Sequence, residues 1–153
     1  MLKGDRQIDS SEIRYFMNAI AEKGVVVTMS TAGSGSALDH TDNVVQVSSN
    51  SSGTNPVGML LDTVVDIDQT KQHVNWYKDE TVIGNKVSLM TKGWVVTDKV
   101  VTATAGARAA LASSGFVTAV SDISSHNQLT QPIVGRFRTT KDEDGFAAVY
   151  IDL

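Results

Sequence analysis

A chain of 153 residues and 16.3 kDa matches one ordinary domain, and its 41% hydrophobic and 20% charged residues make a globular balance rather than a disordered one. A domain of this size buries roughly 70% of its unfolded surface, so no covalent staples are required. The absence of cysteine excludes disulfides, thiolate metal sites and cysteine nucleophiles, the net charge of −4 gives no basic footprint for nucleic acid, and apolar stretches of three to five residues fall far short of a membrane span.

Met1–Arg6 leads into polar residues rather than an apolar core, which predicts no secretory leader. The next segment, Asp9–Gly24, fits two readings. Ile13, Phe16, Met17 and Ile20 match the i, i+3, i+4, i+7 template of a helix, with Asp9 or Ser11 as cap and Gly24 as stop. As a strand, the same segment would put Ile13, Tyr15 and Met17 on one face. Periodicity leaves both open.

Beyond it the composition turns to β: 35 Val and Thr against 8 Leu favour pleated, half-buried surfaces. Alternation and turn punctuation predict strands near Val25–Thr28, Val44–Val47, Val57–Val65, His73–Lys78, Thr81–Ile83, Lys86–Met90, Trp94–Val96, Phe116–Val120, Ile133–Thr139 and Phe146–Ile151. The Ala-rich stretch Ala107–Ser113 scores as helix within β-rich surroundings. Gly84-Asn85 and Asp144-Gly145 are tight-turn signals, because their residues accept positive φ. In the terminal hairpin, Ile133, Gly135 and Phe137 are expected to face in and Arg136 and Arg138 out, against a partner burying Ala147, Val149 and Ile151. Ser30–Asn43 and Ser48–Pro56 read as mobile surface loops. The short strands and frequent turns predict a mainly β sandwich or barrel with long surface loops and at most one or two short helices.

Few residues suggest chemistry. Asp66-Ile67-Asp68-Gln69-Thr70 fits the DxDxT pattern of haloacid-dehalogenase-type phosphatases, but the doubly wound core and the downstream carboxylate pair for magnesium are missing. Gly33-Ser34-Gly35-Ser36 has no third glycine in register and no following lysine, so it reads as a loop rather than a phosphate cradle. Asp39, His40 and Asp42 lack a distant fourth ligand, and His40, His73 and His126 are scattered without a nucleophile motif. Asn50-Ser51-Ser52 is a formal glycosylation acceptor that reads as loop chemistry. Trp76, Tyr77 and Trp94, with Arg136 and Arg138, offer either core packing or a binding platform. No catalytic residue, metal ligand or cofactor is expected.

Tyr15-Phe16-Met17-Asn18, Ala21–Val26 and Asn55–Val65 resemble the capsid decoration, or head cement, proteins of tailed bacteriophages. The resemblance continues through Lys78-Asp79-Glu80, Gly84–Val87, Gly93–Thr97 and Val134–Phe137 to Asp144-Gly145-Phe146, and so spans nearly the whole chain. It implies a compact small-barrel or β-tulip-like domain with an extended N-terminal arm, in a protein made in the host cytoplasm and seated on the outer surface of the virion head. Its partners would be the major capsid protein and itself, as a homotrimer, with neither nucleic acid nor membrane. Residues 1–12 would be an arm that orders on binding and 13–153 a single β-rich domain. The candidate interface is Arg6, Ile8, Ile13, Tyr15, Phe16, Trp76, Arg136 and Arg138. The alternative is a virion-surface adhesion module that takes glycans through Trp76, Tyr77 and Arg138.

Overall fold

A computed structural model describes residues 1–30, 43–61, 80, 81, 84, 86–120, 127 and 130–153. The fold is mainly β, 56% strand and 3% helical, with a closed five-stranded barrel and no long helix. The strands are β1 (Leu2–Met17), β2 (Ala21–Glu22), β3 (Val26–Met29), β4 (Val44–Gln46), β5 (Pro56–Leu60), β6 (Glu80–Thr81), β7 (Lys86–Thr97), β8 (Arg108–Leu111), β9 (Val117–Val120), β10 (Ile133–Phe137) and β11 (Ala147–Asp152). The barrel closes in the order β1-β4-β3-β5-β7, because β7 pairs back onto β1. From β7 the same sheet continues outward as β11-β10-β8-β9.

Consecutive apolar residues explain why three of the barrel strands are buried on both faces. Val25, Val27, Leu60, Val87 and Leu89 point into the barrel with Met17 and Val45. Their neighbours Val26, Met59, Leu61 and Met90 point the other way, into a second core roofed by Leu111, Val134, Phe137, Val149 and Ile151. The two cores therefore share β3, β5 and β7 as a common wall.

A slip in β7 makes this sharing possible. Met90 and Val95 both face the second core, yet an odd and an even position cannot share one face of an unbroken strand. The pairing with β1 shifts between Ser10↔Lys92 and Ser11↔Met90, and Gly93 adopts φ +142°. This irregularity resets the phase, and it lies where the neighbour of β7 changes from β5 to β11. A Cβ on Gly93 would collide with the Gln7 carbonyl oxygen, so the site also needs glycine's lack of a side chain.

The strand reading of Asp9–Gly24 prevails over the helical one. Tyr15 and Met17 reach the barrel core at alternate positions, whereas Ile13 and Ile20, two members of the helical template, are 60% and 61% exposed. Residues 1–12, expected as an arm, form most of β1 and pair with β7 in the single chain; the strand runs through position 12 without a break. Its start is anchored by the buried Leu2 and by an ion pair between the Met1 ammonium and Asp98.

Ala107–Ser113, which scores as helix, contains β8. Ala109 and Ala110 are fully buried there, and their small side chains suit close packing between β10 and β9. The C-terminal hairpin forms as expected: Gly145 has φ +87°, and the amide of Phe146 donates to Asp142 Oδ1 at 2.7 Å. One detail changes, because the register shifts between Ile133 and Gly135 and turns Val134 inward with Phe137. The loop over 48–56 is tied down rather than mobile, since Ser51 is buried and donates to the Thr130 carbonyl at 2.7 Å. Gly84 has the positive φ that its turn demands, and Asn85 lies outside the described residues.

Candidate functional site

Two surfaces flank β7, and the expected interface residues divide between them. The first is β1. Eleven successive residues, from Gly4 to Arg14, are exposed although all lie in a strand. One edge of β1 is hydrogen-bonded to β7; on the other edge, among the described residues, only Phe16 and Met17 are paired, to β4. Arg6 sits opposite Val95 and Ile8 opposite Gly93, and Ile8 is 40% exposed. Tyr15 and Phe16 serve the barrel instead: Tyr15 packs on its core and the Phe16 amide donates to the Asn43 carbonyl at 3.0 Å.

The second surface is the outer face of the extended sheet. Cross-strand pairing aligns one row of residues over five strands, Gln7 (β1), Trp94 (β7), Tyr150 (β11), Arg136 (β10) and Arg108 (β8). Side chains in such a row share one face at close lateral spacing. Trp94 Nε1 donates to Gln7 Oε1 at 3.2 Å. The Arg138 guanidinium carbon lies 5.5 Å from the centre of the Trp94 ring and 5.6 Å from that of the Tyr150 ring, within cation–π reach of both. A concavity of about 500 Å³ opens between Arg108, Arg136, Arg138 and Tyr150.

Thus Arg136 and Arg138 come together, as their alternation predicts, and they gather two residues that sequence reasoning did not select. Tyr150 was discoverable, because it alternates with the inward Val149 and Ile151. Arg108 was hidden by the helical score of its alanine-rich neighbours. Trp76 and Tyr77 lie outside the described residues, as do Gly33–Ser36, Asp39, His40, Asp42, Asp66–Thr70, His73 and His126.

A smaller charged site links β2 to the residues just after β7. Lys99 Nζ lies 2.5 Å from Glu22 Oε2. Burial opposes its charge, but the hydrogen bond to Glu22 and the nearby Asp98 carboxylate outweigh that penalty and raise its pKa above 10.5. On the outer face Lys92 pairs with Asp152 at 3.3 Å, and this hydrogen-bonded carboxylate raises its pKa too. Among the described residues no group of three His, Asp or Glu could hold a metal, and no helix is long and apolar enough to cross a membrane. No family model matches the chain, and no curated protein matches it.

Proposed function

We propose that the protein is a structural component of a bacteriophage virion, a decoration or cement protein that binds the outer surface of the head and braces neighbouring major capsid subunits. The resemblance of segments such as Asn55–Val65 and Gly93–Thr97 suggests the family. The observation that carries the reading is β1, a long strand whose outer edge is unpaired between Leu2 and Tyr15 among the described residues. Such an edge is a template for strand addition by another chain, and main-chain hydrogen bonds supply affinity without a preformed pocket.

Arg6, Ile8 and Ile13 would then be the contacting side chains, with Tyr15 and Phe16 securing the strand to the barrel. Asp5, Arg6, Asp9, Glu12 and Arg14 keep the edge from indiscriminate pairing, so a partner must present matching charges. Each contact is weak, and many copies on one shell, assembled as trimers, would sum through multivalency.

The test is to count copies of the chain per major capsid subunit in purified particles of the encoding phage, by quantitative mass spectrometry. A ratio of the order of one supports a shell-wide brace. Absence from particles, or a few copies per hundred subunits, overturns it.

A further inference from the structure

We infer that the arginine-lined concavity on the outer sheet face is a binding site for an acidic oligosaccharide of the uronate type. Three observations lead there. Arg108 and Arg136 are directly opposed across β8 and β10, an arrangement that costs stability unless an anion lies between them. Both are exposed, and among the described residues neither forms an ion pair; the carboxylate at the rim, Asp152, is engaged by Lys92. Arg138 lies within cation–π reach of both Trp94 and Tyr150, so its charge is held beside the rings before any ligand arrives.

The spacing suits a chain of anions. Opposed residues on neighbouring strands sit about 5 Å apart and alternate residues along one strand about 7 Å apart. Arg136 therefore has Arg108 across from it and Arg138 beside it. The concavity, about 500 Å³, lies in the range that takes small ligands. Its lining also includes Tyr150, Ile133 and Gly135, an apolar surface that suits the apolar face of a sugar ring.

The position on the sheet separates a sugar from a peptide. An extended acidic peptide is read chiefly through main-chain hydrogen bonds at a sheet edge. Here β7, β11, β10 and β8 each have a strand on both sides, so the face presents side chains alone. Guanidinium forks and a ring platform match carboxylates carried on sugar rings.

This inference is independent of the capsid reading, because isolated protein suffices to test it. Tetragalacturonate, its methyl ester and tetraglutamate would be titrated into the full chain by calorimetry at low and high salt. Binding of tetragalacturonate that weakens with salt, with no binding of the uncharged ester or of the peptide, is the expected result. Arg136→Ala and Arg108→Ala should each weaken it about tenfold or more, with circular dichroism unchanged and the melting temperature of the free protein unchanged or raised, since one of two opposed charges is gone. Arg136→Lys, which keeps the charge but loses the fork, should weaken it less than Arg136→Ala. Failure of tetragalacturonate to bind, equal binding of the ester or of tetraglutamate, or retention of affinity in folded Arg136→Ala overturns the inference.

Discussion

Along its C-terminal half β7 has two neighbours that could hardly differ more. β11 pairs with it residue for residue from Thr97↔Ala147 to Lys92↔Asp152 without a shift, and Ala147, Ala148, Val149 and Ile151 are buried. β1 pairs with it through four register shifts and exposes every side chain from Gly4 to Arg14. Main-chain hydrogen bonds of the same kind join both strands to β7. Burial separates them: β11 is part of the second core, whereas β1 is held at its ends, by Leu2 and by Tyr15–Met17. A strand secured that way opens locally at low cost, and in the proposed function its outer edge, unpaired between Leu2 and Tyr15 among the described residues, takes another chain.

The sharpest contrast comes from paired truncations. Ile151→Ala on β11 removes a fully buried side chain and should cost about 2–5 kcal/mol, whereas Ile13→Ala on β1 should change stability by less than about 0.5 kcal/mol, both read by urea unfolding. Similar losses at the two sites would erase the distinction. Gly93→Ala should cost about 1–3 kcal/mol, because positive φ and the Gln7 carbonyl leave no room for the new methyl. Its effect should appear first as faster amide exchange over residues 5–10, with β11 still protected.

The smallest effect is electrostatic. Because the folded pKa of Lys99 is raised, its contribution is complete below pH 10.5 and declines as pH climbs through the higher folded value. Glu22 is half exposed, so this contribution should stay below about 1 kcal/mol. Glu22→Gln should flatten that alkaline loss in a melting-temperature series, and an unchanged slope would remove the pair from the account.

What was legible in the sequence follows from the same contrast. β3, β10 and β11 were readable because continuous or alternating apolar residues report burial directly. β1 was ambiguous because a strand bonded through its backbone and exposed on both faces carries no apolar period. β8 looked helical because close packing between two strands selects alanine, also the best helix former. The outer-face cluster was half visible: alternation places Arg136, Arg138 and Tyr150 outward, but only the β8–β10 register brings Arg108 beside them.

The claim that β1 is the docking edge is tested most directly by hydrogen exchange on the protein free and bound to particles of the encoding phage. Those amides of residues 5–14 that are not bonded to β7 should exchange fast in the free chain and slow markedly on the particle, while those of β11 stay protected in both. Unchanged exchange over β1 in particle-bound protein would contradict the account.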